Sequence, residues 1–287
     1  MKSFKKFSIL LMALLLLGAC QQPNNNTNFE DDKLKVVTSF TLLADLVIQI
    51  GQDYVSVYNL VPTGTDPHDY EPLPQDTKAA TDADVLIYNG LNLEGGTSGW
   101  FFKLINSVKQ NKSRVFEVSD GVEPMYLKAG QKDEQINPHA FLDPQVGIIM
   151  VNNILNILLE VDPDHEIQYR NNAFIYLEKL EAIHQQYQEK INALPENHRV
   201  FTASEHAFQY MTERYGLEHL YIWEIDTDEI GTPQQIRQLI DQLKMKQPPV
   251  LFLESNVQTK PMEQVSKETG IPIYPVKIYA DEIGQKG

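Results

Sequence analysis

The sequence predicts an α/β protein of two lobes, each a mostly parallel sheet flanked by helices, joined by one long rigid α-helix. Three observations carry that expectation. Short β-branched apolar runs alternate with helical stretches of about ten residues, the pattern of a parallel sheet with helices on both faces. The alternation occurs in two blocks, one before residue 162 and one after residue 197. Between the blocks, a stretch free of proline and glycine from Asp164 to Leu194 keeps apolar residues at three- and four-residue spacings. At 287 residues, with 42% hydrophobic and 22% charged, the chain has enough material for two cores.

Residues 1–19 are set apart from the fold. Lys2, Lys5 and Lys6 make a basic start, Phe7 to Leu17 an apolar run too short to span a bilayer comfortably, and Leu17-Gly18-Ala19-Cys20 a small-residue junction. This resembles a bacterial lipoprotein signal, which implies that Cys20 becomes the lipidated first residue of the mature chain. Cys20 is the only cysteine, so the sequence offers neither a disulfide nor a thiolate metal site. The polar, Asn-rich remainder of residues 20–33 suits a flexible tether. A formal charge of −15, more negative once the leader's lysines go, argues against non-specific binding to nucleic acid phosphates.

The first lobe is expected over 34–161. Lys35 to Phe40 reads as a buried strand, and Leu42, Leu43, Leu46, Val47 and Ile50 as one face of a helix that Gly51 stops. Val55 to Val61, Val85 to Tyr88 and Val115 to Val118 are further strands, with a helix through Ala79 and Ala80 and another from Gln145 to Glu160. The linker, 162–197, carries a helix from Pro163 to about Leu194. In the second lobe, 198–287, strands are expected at Arg199 to Ala203, Glu218 to Trp223, Val250 to Leu253 and Ile273 to Val276. Helices are expected at Phe208 to Tyr215, from the capped start Thr232-Pro233-Gln234-Gln235 to Lys246, and at Glu263 to Thr269. Trp100 and Trp223 read as core residues.

The chemistry centres on Gly64-Thr65-Asp66-Pro67-His68-Asp69-Tyr70-Glu71-Pro72, a loop at the end of a strand, where ligands of such sheets bind. Prolines bracket His68 and restrain it. The same Pro-His device recurs in Asn137-Pro138-His139-Ala140-Phe141-Leu142-Asp143 at the mouth of a helix. Two more loops, Thr202 to His206 and Tyr279 to Glu282, offer carboxylates. Two imidazoles and two carboxylates suit Mn(II), Fe(II) or Zn(II), and supply too few oxygens for a calcium cage. The spacing alone leaves open whether they converge or are ordinary surface groups.

These motifs, with Ser204-Glu205, Ile222-Trp223-Glu224-Ile225 and Gly231-Thr232-Pro233, resemble the solute-binding lipoproteins of bacterial manganese, zinc and iron ABC transporters. The resemblance implies two α/β lobes closing over a metal held by His68, His139, Glu205 and Asp281. It implies delivery of that ion to a membrane ABC permease with its ATPase, and anchoring through lipid on Cys20 at the outer face of the cell membrane. A monomer without enzymatic activity is expected, with manganese favoured and iron next. Alternatives are zinc uptake within the same family or a surface adhesin; a metallohydrolase would need a coordination position open to water. His206 departs from the family's small residue and is expected to stand behind the ligands or outside the site. The chain also departs in seeming to lack the family's last helix. Asp143 and Glu254 are candidates for orienting a metal-bound group or for structural capping. His165, His184, His198 and His219 read as surface or helix-packing residues.

Overall fold

A computed structural model describes residues 29–127, 135–225 and 231–284. The leader, Cys20, most of the tether and the last three residues lie outside the described residues.

In the first lobe, β1 (Leu34–Phe40), β2 (Val55–Val61), β3 (Val85–Tyr88) and β4 (Val115–Glu117) form one parallel sheet in the order β2-β1-β3-β4. Val36 sits at the centre, paired with Val57 on one side and Val85 on the other. From Val36 on, every residue of β1 is buried, as a central strand covered on both faces must be. The covering helices are α1 (Thr41–Gly51), α2 (Pro74–Asp82), α3 (Trp100–Ser107) and α4 (Pro144–Val161). Phe40, Leu43, Ile50, Leu86, Phe101 and Met150 are fully buried between them. The short α3 was not anticipated; its Trp100, Phe101, Leu104 and Ile105 give it a buried face. The start of α4 is fixed by Pro144 at its first position and by the Asp143 carboxylate, which accepts from the Gln145 amide at 3.0 Å.

The linker helix α5 (Glu166–Asn192) has 27 residues, about 40 Å of rod at 1.5 Å per residue. It starts later than expected. Pro163–His165 form a 3₁₀ turn first, held by the Asp162 carboxylate, which accepts from Tyr169 Oη and lies 2.8 Å from His165 Nδ1. The N-terminal half of α5 lies along the first lobe. Asn172 donates to the Ile50 carbonyl at 2.9 Å, and Leu180 closes over Gly147 of α4. Further along, His184 Nδ1 meets Tyr215 Oη at 2.9 Å, so the same rod reaches the second lobe.

The second lobe contains β5 (Val200–Thr202), β6 (Glu218–Leu220), α6 (Gln209–Tyr215), α7 (Pro233–Lys246) and α8 (Lys260–Thr269). Leu239, Leu243, Leu251, Met262 and Val265 form its main core. The capping box is present, with Thr232 Oγ1 accepting from the Gln235 amide and Gln235 Oε1 accepting from the Thr232 amide. The strands expected at Val250 to Leu253 and Ile273 to Val276 do not form as continuous ladders. They appear as isolated parallel bridges, Leu251 with Ile273 and Glu254 with Ile278, while the Phe252 amide donates to Thr202 on β5 at 2.8 Å. Pro248, Pro249, Pro272 and Pro275 lack the N–H a ladder needs, so pairing is interrupted and survives as single bridges.

Candidate metal centre

His68 is fixed by its loop before any ligand arrives. Gly64 turns the chain at φ +84°, a conformation glycine adopts without strain. The Asp66 carboxylate accepts from the His68 amide at 2.7 Å, and the Trp100 indole donates to the Pro67 carbonyl at 2.8 Å. Tyr70 packs edge-on to Trp100 and donates to Asp76, which also accepts from the Leu73 amide. Trp100 is thus core, as its sequence suggested, and also a brace for the site.

His139 is fully buried in a short 3₁₀ turn (His139–Leu142) just before α4. Asn137, two residues earlier, turns its side chain back over it. Asn137 Oδ1 lies 2.8 Å from His139 Nδ1 and accepts from the His139 amide at 3.1 Å. That contact places the ring proton on Nδ1 and leaves the lone pair of Nε2 facing inward. The Asn137 amide group in turn donates to the His206 carbonyl and to Gln209, both in the second lobe. Asn137 was quoted in the motif without a role; an Asn two residues before a buried His was the available signal.

The carboxylates come from the opposite side. Glu205 follows β5 and bridges to Trp223, which is buried as expected. The buried carboxylate of Glu254 accepts from the Ser204 and Glu205 amides, each at 2.9 Å. Glu254 therefore positions a carboxylate rather than an imidazole; burial pushes its own carboxyl above the usual range. Asp281 is held by Asn256, which donates to Oδ2 at 3.0 Å, leaving the buried Oδ1 facing His139 Nε2 at 3.1 Å. Its neighbour Glu282 accepts from the Gly64 amide and the Ser255 hydroxyl, tying the Asp281 segment to the His68 loop.

These elements bring three of the four expected residues into one cluster. His68 Nε2 and His139 Nε2 are 3.1 Å apart, Asp281 Oδ1 lies 3.1 Å from His139 Nε2, and 3.9 Å separates it from His68 Nε2. All three donor atoms fall within 4.8 Å of one another. Glu205 Oε1 is 3.7 Å from His139 Nε2, adjoining the cluster through that one residue. Donors about 2.1 Å from a tetrahedral cation would stand roughly 3.4 Å apart, inside the observed range. Burial and the neighbouring His139 lower His68 to about 4, against the pull of Asp281. Burial tends to raise Asp281, but His139 and His68 outweigh it and hold the carboxyl at about 2. At neutral pH the cluster thus directs an imidazole lone pair and an ionised oxygen at one point.

The remaining candidates separate from this cluster. His206 stacks on Tyr221, with ring centroids 4.1 Å apart, and stands outside the three-donor group. Asp143 caps α4 and pairs with Arg214 across the lobes, so its role is structural. His165 and His184 pack against tyrosines, and His198 is exposed. His219 contradicts the sequence-based expectation. It lies on β6, among the rings of Phe201, His206 and Tyr221, with both ring nitrogens buried and unpartnered. A strand side chain facing a neighbouring sheet position is carried inward whatever its polarity.

A family model described as the periplasmic zinc-uptake complex component A, ZnuA, matches residues 36–287. The chain belongs to this family. Similar ZnuA-family relatives include the metal ABC transporter substrate-binding lipoprotein SsaB of Streptococcus sanguinis, 41% identical over all of this chain and 93% of its own length. The manganese ABC transporter substrate-binding lipoprotein ScaA of Streptococcus gordonii has the same identity and coverage. The iron ABC transporter substrate-binding lipoprotein MtsA of Streptococcus pyogenes serotype M6 is 42% identical over 99% of this chain and 92% of its own length. Among solved structures, the Mn-bound periplasmic metal binding protein of Candidatus Liberibacter asiaticus superposes with a TM-score of 0.75 at 27% identity. It covers 87% of this chain and 90% of its own. The protein is thus a solute-binding component of a metal ABC transport system, and its family is one of binding proteins rather than enzymes.

Proposed function

We propose that the protein captures a divalent transition metal, manganese first and iron next, and hands it to a membrane permease driven by its ATPase. His68 and His139 from the first lobe (34–161) and Glu205 and Asp281 from the second (198–287) are the ligands, with the linker (162–197) setting their spacing. Cys20 carries the lipid that keeps the monomer on the outer face of the cell membrane. The protein performs no reaction; it binds, closes and releases.

The observation that carries this reading is the convergence of His68 Nε2, His139 Nε2 and Asp281 Oδ1, all within 4.8 Å of one another. A buried acceptor facing another lone pair is costly unless something positive lies between them. Nitrogen and oxygen donors in roughly equal number, without sulfur, suit Mn(II) and Fe(II), while Zn(II) remains the tighter ion by the general affinity order. The manganese- and iron-named relatives agree with that preference.

Thermal unfolding of metal-stripped protein titrated with Mn(II), Fe(II) and Zn(II) tests it. Each ion at 100 times its dissociation constant should stabilise the fold by about 2.7 kcal/mol, and the Mn(II) effect should vanish in a His68→Ala, His139→Ala double variant. A Mn(II) shift that survives in that variant, or none with any ion, overturns the assignment.

A further inference from the structure

The aromatic cluster beside the metal centre contains a second pair of imidazoles. His206 and His219 have ring centroids 5.1 Å apart, inclined at 49°. The His68–His139 pair has centroids 5.0 Å apart at 66°. Two imidazoles bound to one tetrahedral cation would place their centroids roughly 5.2 Å apart, given donor distances of about 2.1 Å. The second pair is thus spaced as closely as the first.

Its hydrogen bonding is incomplete in the same sense. His206 Nδ1 and both nitrogens of His219 are buried without a partner, although His206 is only 9% exposed. A neutral imidazole presents one donor and one acceptor, and leaving both unsatisfied is destabilising. Stacking of His206 on Tyr221 satisfies neither nitrogen. Such atoms in a native fold call for an explanation, and an ion or water is the usual one. His219 also lines a cavity of about 990 Å³ together with Glu224 and Asp241. The cavity gives a cation a way in; among the described residues no carboxylate joins the two imidazoles in a three-donor group, so water would complete the coordination.

We infer that His206 and His219 form an accessory metal site, separate from the His68–His139–Asp281 cluster, for an imidazole-preferring divalent cation of the zinc, nickel or copper type. The donor chemistry sets the class. Imidazole suits those ions better than manganese, for which carboxylate and water are the better partners. The two sites are adjacent: Asn137 bonds the His139 ring with its oxygen and the His206 carbonyl with its nitrogen.

The test uses the full chain with copper as probe. In the His68→Ala, His139→Ala variant, one equivalent of Cu(II) should bind and show nitrogen hyperfine coupling from imidazole by electron paramagnetic resonance. Adding His206→Phe and His219→Phe, which keep the aromatic packing, should remove that signal. Either replacement alone should weaken copper binding by at least about tenfold, since losing even an outer partner of a ligand costs that much. Alone in the otherwise unaltered chain, the Phe pair should leave the Mn(II)-induced thermal shift unchanged, which also reports that the fold is intact. The proposal is overturned if copper fails to bind when His68 and His139 are absent, or binds equally with both Phe residues present. Loss of the manganese shift in the Phe pair overturns it too, because the two sites would then be one. The main centre's assignment stands or falls separately, on the manganese response of the His68→Ala, His139→Ala variant.

Discussion

In the first lobe, His68 and His139 project from proline-bracketed turns at the edge of a regular four-stranded sheet. In the second, Glu205 and Asp281 sit where a two-stranded ladder gives way to isolated bridges. The imidazoles are held by their own neighbours in sequence: Asp66 and Pro67 around His68, and Asn137 before His139. The carboxylates are held from a distance, Glu205 by Glu254 and Asp281 by Asn256, residues 49 and 25 positions away. One half of the centre is therefore stiff by local construction. The other is stiff only while the second lobe is folded around it. The comparison also shows a shared device, since the first lobe has its own buried carboxylate, Glu94, accepting from the Asn89 and Gly90 amides. Burial raises Glu94 to about 7, against the pull of its hydrogen bonds.

The largest expected effect strikes the stiff half. His139→Ala should abolish the metal-induced stabilisation of about 2.7 kcal/mol seen at 100 times the dissociation constant, measured as a thermal shift with Mn(II). If Glu205→Ala were to cost as much while His139→Ala cost little, the division of labour between the lobes would be the reverse of the one described.

Next is the distant support. Glu254→Gln keeps one oxygen for the two buried amides but sets an NH2 group against the Ser204 amide, and should lower Mn(II) affinity by about 10–100-fold while the His68 loop stays intact. The same change should destabilise the metal-free fold by about 1–3 kcal/mol, measured by denaturant unfolding. Unchanged affinity would show that Glu205 keeps its position without Glu254.

Asn137→Ala should cost about tenfold in affinity, because the His139 ring then loses the contact that fixes its tautomer. The variant sharpens the contrast between lobes, since Asn137 serves both: its oxygen faces the His139 ring and its nitrogen a second-lobe carbonyl. An affinity indistinguishable from that of the parent protein would assign it to lobe docking only.

The smallest effect is in pH. His68 and His206 are both lowered to about 4, chiefly by burial. Between pH 6.5 and about 4 the unfolded chain binds protons that the folded one excludes, so metal-free stability is complete above pH 6.5 and declines as pH falls through that window. Thermal midpoints measured across it should fall less steeply in His68→Ala than in the parent, and parallel curves would contradict the assignment.

Much of the first lobe was legible in the sequence because its signals are local. β1 to β4 follow from short β-branched runs, and the Pro-His loops announced themselves by repetition. In the second lobe β5 and β6 form where the sequence places them, but the two later strands reduce to bridges, because Pro272 and Pro275 break the ladder that the apolar runs suggest. Glu205 and Asp281 entered through the family resemblance rather than through spacing, since nothing nearby in sequence marks them. Glu254 could be listed but not assigned, because its work is to accept amides that only the fold brings to it. His219 was misplaced for a related reason: a polar residue in a three-residue strand carries no periodicity by which to judge its burial.

The strip Asp281-Glu282-Ile283 belongs to the second lobe yet is laced to the first, with Glu282 accepting from the Gly64 amide and the Ile283 amide donating to Thr41 Oγ1 at 3.1 Å. A donor of the cluster and two stitches thus share three consecutive residues. Lifting this short ribbon would break only a few hydrogen bonds and need no bending of the rod behind the lobes. Cargo can leave a container whose walls hardly move if the tab that seals it lifts.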